Sequence, residues 1–158
     1  MNDIEVRIVK LPPMRVASVH GFGREPENQA HEKLRAWAGP RGYLDDPEHH
    51  RIFGFNNPNP SPGSPNYGYE LWITVGPEVK PEGEVRILGF AGGLYAVTGL
   101  LEVGDPYVTI PDAWKRLHKW CEDSKYKFGT HQWLEEHLPA KDTTWGQWTL
   151  DLYLPIAE

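Results

Sequence analysis

The chain has 158 residues, 39% of them hydrophobic, and seven tryptophans, enough apolar mass for one folded domain or two small halves sharing a core. A formal net charge of −6 argues against a direct nucleic-acid partner, which normally needs a basic patch. With no run of about 18 apolar residues and no basic-then-apolar leader, neither a membrane span nor a secretory signal is expected. The single Cys121 has no internal disulfide partner, so the expected location is the cytoplasm.

In chain order, residues 6–11 read as a strand, broken by Pro12-Pro13. Residues 15–20 read as a second strand, which Gly21-Phe22-Gly23 ends. From 26 to 38 the pattern turns helical, with Ala30, Leu34, Trp37 and Ala38 along one face, and Gly39-Pro40 stops the helix. Residues 51–55 form a short extended piece, and 56–66 a Pro/Asn/Ser loop. Residues 67–75 then alternate with period two. Tyr69, Leu71, Ile73 and Val75 point one way; Glu70, Trp72 and Thr74 point the other. The first face is ordinary core. The second is unusual, because a strand buried on both faces should not carry an acid in its middle. Glu70 therefore either faces water or lines a cavity.

The second half follows the same order. Residues 85–88 are a strand, 91–93 a turn and 94–98 a strand. A helix is predicted over 111–122, with Pro111 at its first position, where the missing N–H costs nothing. Residues 133–138 read as a helical turn. The closing strand, 148–156, sets Leu150, Leu152, Leu154 and Ile156 on one face and Asp151 and Tyr153 on the other.

Overlaying the halves pairs Val6-Arg7-Ile8-Val9 with Val85-Arg86-Ile87-Leu88 and Lys33-Leu34-Arg35-Ala36-Trp37 with Arg116-Leu117-His118-Lys119-Trp120. The closing strands pair Glu70 with Asp151 and Trp72 with Tyr153, all at an offset of about 80 positions. The expected fold is therefore α+β: two pseudo-symmetric strand–strand–helix–strand repeats, about 4–77 and 83–157, within a single domain 1–158. Each unit has a sheet with one bare face, so pairing covers it and leaves a central groove suited to a ligand.

The opening Val6 to Ala17, the Gly104-Asp105-Pro106-Tyr107 turn and the closing strands around Glu70 and Asp151 together resemble the GyrI-like effector-binding domains. These are the ligand-sensing part of several multidrug-responsive bacterial transcription regulators, and they also occur alone. The resemblance covers nearly the whole chain and rests on order and spacing. It implies a groove for bulky, often cationic, aromatic drugs, with Glu70 at the position of the glutamate that projects into it. It also implies a rival activity, since some stand-alone members hydrolyse cyclopropane-bearing alkylating toxins. Gly21-Phe22-Gly23-Arg24-Glu25-Pro26 departs from the Gly-Pro-Tyr-like turn usual in the first repeat. The chain starts directly at its first strand, so a stand-alone member is expected, without a DNA-binding helix-turn-helix.

Glu70 beside Trp72 has its own rationale. A carboxylate in an aromatic box attracts a cation by charge and by ring quadrupole, each good cation–π contact contributing about 0.5–2 kcal/mol. The same acid, removed from water, suits general acid–base chemistry, with Tyr153 or Tyr107 assisting. The bland alternative is a solvated surface acid. Asp151 and Tyr153 are the repeat counterparts, and Tyr107, Trp114 and Trp148 are further candidate wall residues. Trp37 and Trp120, at matching helix positions, read as core, as does Cys121.

Other chemistries fail. His31-Glu32 begins like a zinc-protease helix, but Arg35 stands where the second histidine belongs, and His131 and His137 fall on different helical faces. Pro26 replaces the third glycine of a dinucleotide fingerprint. No metal or cofactor is expected. The partner is expected to be a hydrophobic or aromatic small molecule, with neither membrane nor nucleic acid bound directly. A protein partner, as for a gyrase inhibitor, is the remaining class.

Overall fold

The computed structural model describes residues 4–46, 48–100, 106–138 and 149–158, with backbone alone at 100, 106–107 and 149. It is α+β, with two α-helices and nine strands among the described residues. The strands are β1 (Arg7–Leu11), β2 (Met14–Gly23), β3 (Ile52–Asn56), β4 (Tyr67–Thr74), β5 (Arg86–Phe90), β6 (Gly93–Leu100), β7 (Lys127–Phe128), β8 (Leu134–Leu138) and β9 (Thr149–Ala157). Helix α1 (Pro26–Ala38) follows β2, and α2 (Pro106–Glu122) follows β6. Among the described residues no helix is long and apolar enough to cross a membrane.

The chain divides into two compact units, and the division does not follow the sequence halves. One unit is Met14–Phe90; the other joins the stretch through Pro13 to the stretch from Ala91 onward. In the first, four antiparallel strands run in the order β3-β4-β2-β5. Residues Ala17, Val19, Tyr69, Leu71 and Ile73 turn to α1, where Ala30, Leu34, Trp37 and Ala38 meet them. Each fully buried leucine there stabilises the fold by about 1.5–3 kcal/mol. Pro26 starts α1, and the Gly39 N–H closes it on the Arg35 carbonyl at 2.9 Å. In the second unit β1 pairs β6, β6 pairs β9, and β8 and β7 also pair β9. Leu150, Leu152, Leu154 and Ile156 pack there with Ala113, Leu117 and Cys121 of α2.

Three sequence expectations are corrected. Residues 133–138 do not add a helical turn; Leu134–Leu138 is a strand, because its Leu–Glu–Glu–His–Leu alternation is answered residue by residue along β9. Helix α2 begins five residues before Pro111, at Pro106, which takes the first-turn place that Pro111 was expected to hold. Gly21-Phe22-Gly23 does not end β2 but continues it opposite Tyr69, Gly68 and Tyr67. The glycine at 21 serves close approach: a Cβ there would lie 2.3 Å from the Pro26 carbonyl oxygen and 2.8 Å from Gln29 Cβ.

Gly21→Ala is expected to cost about 1–3 kcal/mol through overpacking of β2 on α1. Gly89→Ala on β5, where a Cβ meets open space, should stay within about 0.5 kcal/mol. Urea unfolding midpoints check the contrast. Burial and the charge of Arg35 also lower the His31 pKa to about 4. The unfolded chain then binds the extra proton between about pH 6.5 and 4, so wild type should lose stability as pH falls through that window. His31→Gln should flatten the loss in thermal melts taken from pH 7 to 4.

Candidate functional site

Strand β4 carries the site. Opposite Glu70 stand His20 on β2 and Phe55 on β3, and opposite Trp72 stand Ser18 and Phe53. Residues in register share a face, so this set lies on the side of the sheet away from α1. Arg86 joins it from β5, opposite Ser18.

That second face is not solvated. Glu70 is 3% exposed and Trp72 7%. A buried carboxylate must be met by donors, and here it is. The Ser18 hydroxyl and the Trp72 indole N–H both donate to Oε2 at 2.7 Å. Asn57, from the loop after β3, donates its amide to Oε1 at 3.1 Å. Arg86 Nη2 stands 3.7 Å from Oε1, an ion-pair distance too long for a hydrogen bond. The indole that gives its N–H to Glu70 is enclosed by other rings. Phe55 meets it edge-on with centroids 4.9 Å apart, and Phe90 is tilted against it at 5.2 Å.

In the other unit Asp151 and Tyr153 share a face of β9, but with different chemistry. Arg7 Nη2 donates to Asp151 Oδ2 at 2.6 Å, and this bond raises the arginine's pKa above its ordinary value. The Tyr153 hydroxyl donates to Glu136 Oε1 at 2.6 Å. Glu136 is buried and stands opposite Asp151 on β8. Tyr95 lies edge-on to Tyr153 at 5.5 Å and donates to the Gln132 carbonyl at 2.6 Å; burial pushes its phenol pKa upward.

The structure thus brings Glu70 and Trp72 together, and sets Asp151 and Tyr153 side by side on their own strand. Trp114 is elsewhere: its indole donates to Glu135 at 3.3 Å and tilts against Trp133 at 5.2 Å, on the α2 side of the sheet, away from Tyr153. Trp148, with the Gly104-Asp105 turn, lies outside the described residues, as does the side chain of Tyr107. Sequence reasoning missed Ser18, Asn57 and Arg86 around Glu70, and Arg7 and Glu136 around Asp151. A signal existed for the arginines, which occupy matching places in the opening strands of the two halves. Among the described residues no group of three or more His, Cys, Asp or Glu is placed to hold a metal.

The family model described as integron-associated effector binding protein matches residues 7–156. The chain belongs to this family. The resemblance to GyrI-like effector-binding domains therefore holds, and the family's effector-binding description supports small-molecule binding. No curated protein matches the sequence. Solved structures share the fold. The C-terminal domain of EcmrR superposes with a TM-score of 0.72 at 16% identity, covering 99% of both chains; in the EcmrR–DNA complex the match spans 58% of the EcmrR chain. A protein from Listeria innocua described as a hydrolase gives 0.68 at 12% identity, covering 99% of this chain and 94% of that one. SAV2435, solved bound to tetraphenylphosphonium, gives 0.57 at 12% identity over 98% of this chain and 94% of its own.

Ser18→Ala removes a donor from a buried charge and should cost about 1.5–3 kcal/mol. Asn57 is exposed, so water replaces its amide, and Asn57→Ala should cost less than about 1 kcal/mol. Chemical denaturation of both variants checks the order.

Proposed function

We propose that this effector-binding chain takes up bulky hydrophobic, aromatic or cationic small molecules in a groove carrying Glu70. The observation that carries the reading is a buried carboxylate held by three donors and set against a cluster of aromatic rings. Charge and ring face together favour a delocalised organic cation, which gains both Coulomb and quadrupole attraction and costs little to desolvate. Trp72, Phe55 and Phe90 supply the aromatic surface. Asp151 and Tyr153 have other work, in the Arg7 pair and the Glu136 hydrogen bond, so the reading rests on Glu70 and Trp72. The tetraphenylphosphonium bound by SAV2435 is a ligand of this chemistry on the same fold.

The alternative is a cofactor-independent hydrolase of strained electrophiles, in line with the description of the Listeria innocua protein. Glu70 would then serve as general acid or base. Such a base would have to work through Oε1, since Ser18 and Trp72 take both lone-pair directions of Oε2. Tyr153, the expected assistant, already donates its hydroxyl hydrogen bond to Glu136.

Titration of the purified protein with tetraphenylphosphonium, followed by tryptophan fluorescence and mass spectrometry, tests the reading. Quenching with an unchanged ligand mass is expected. Glu70→Gln should weaken the cation by at least about tenfold, the order expected for losing a buried ionic partner, and change binding of neutral triphenylphosphine oxide far less. Equal losses for both ligands would remove the charge from the argument. When strained electrophiles are substituted, a product heavier by one water, formed by wild type and lost in Glu70→Gln, would establish the hydrolase.

A further inference from the structure

Glu70 and Arg86 form an unequal pair. The Glu70 side chain is 4% exposed and that of Arg86 61%. The guanidinium reaches in from water to Oε1 at 3.7 Å without closing a hydrogen bond. The matching pair in the other unit shows what a committed bridge looks like: Arg7 meets Asp151 at 2.6 Å with a direct hydrogen bond. Both arginines sit on the opening strand of their sequence half and both carboxylates on a closing strand, so the two pairs differ in closeness rather than in design.

Oxygen by oxygen, the difference has a direction. Oε2 is filled by Ser18 and Trp72. Oε1 takes the Asn57 amide and keeps an acceptor position on the side of Arg86. Asn57 is tied down through its backbone, its N–H donating to the Gly68 carbonyl at 2.9 Å and its carbonyl held by His20 at 2.6 Å. Arg86 is anchored only at its Cα, by the pairing of β5 with β2 at Ser18, and its long side chain moves into water at little cost.

We propose that Arg86 is the resident counter-ion of Glu70, displaced when an organic cation binds, and that it thereby tunes the site between cationic and neutral aromatic ligands. The proposal rests on the small-molecule reading above. A cation arriving at Oε1 while Arg86 stays would set two positive charges on one carboxylate, so the guanidinium swings out. A neutral aromatic ligand has no such competition and leaves the pair intact.

Binding of tetraphenylphosphonium and triphenylphosphine oxide to wild type, Glu70→Gln, Arg86→Gln and Arg86→Met, by calorimetry at low and moderate salt, decides the matter. Neutralising Arg86 should tighten the phosphonium by roughly two- to fivefold, the range for losing one partly exposed ion pair. The neutral ligand should be unchanged, and Arg86→Lys, which keeps the charge, should bind as wild type does. Phosphonium binding that depends on Glu70 but is unchanged or weakened in both neutral variants overturns the counter-ion role and leaves the small-molecule reading standing. Equal tightening of both ligands also overturns it, since Arg86 would then be a steric cover. No binding of either ligand to wild type or to the Arg86 variants overturns both readings together.

Discussion

A carboxylate cut off from water must be satisfied where it stands, and Glu70 imposes that requirement on everything around it. Ser18 has to sit on the strand beside it, Trp72 has to turn its indole N–H inward, and the loop after β3 has to bring Asn57 within reach. With the Trp72 ring fixed by that bond, Phe55 and Phe90 have a surface to pack on. The apolar face of the same strand asks for nothing so particular. Tyr69, Leu71 and Ile73 need only volume and a helix, which α1 supplies. One strand thus carries two kinds of specification: shape on one side, hydrogen bonding on the other. The second face sets preorganised polar groups among rings, the kind of lining that the proposed ligand would use.

Much of this was legible in the chain. Period-two alternation placed Glu70 and Trp72 on one face and Leu71 and Ile73 on the other, and the structure keeps that division. Helix α1 was readable from Pro26 to Ala38 because its proline, apolar spacing and Gly39 agree with one another. Burial of the acid was not legible, since alternation gives the face a residue points to and not whether that face is covered. Ser18 and Asn57 were equally hidden: small polar residues are common in strands and loops, and only the pairing of β2 with β4 and the course of the loop make these two donors. Residues 133–138 misled because Leu134 and Glu135–His137 fit a helical turn as well as a strand. Their pairing with β9 decides between the two, and a long-range partner leaves no mark in a short segment.

The division of the chain into compact units was beyond a linear reading for a related reason. The sequence halves can be overlaid, but the strand that opens each half pairs with a strand of the other half: β1 with β6 and β5 with β2. The arginines on those two strands reach their carboxylates by the same exchange, Arg7 to Asp151 and Arg86 to Glu70. An overlay finds equivalent residues; it cannot tell which of two equivalent carboxylates each arginine meets.

That exchange also governs how the protein comes into being. During synthesis β1 precedes its partner: its pairing edge, from Arg7 opposite Val97 to Leu11 opposite Gly93, faces a strand made only after α1 and the four strands β2 to β5. Until β6 is made β1 lacks this partner, and the closing of β1 on β6 spans so much sequence that loop-closure entropy slows it. Pro12-Pro13, directly after this waiting strand, limits how far a foreign strand can extend along it, since proline offers no N–H to a neighbour. A dipeptide that reads at first as a simple strand break thus doubles as protection for an edge that must stay open until its partner exists.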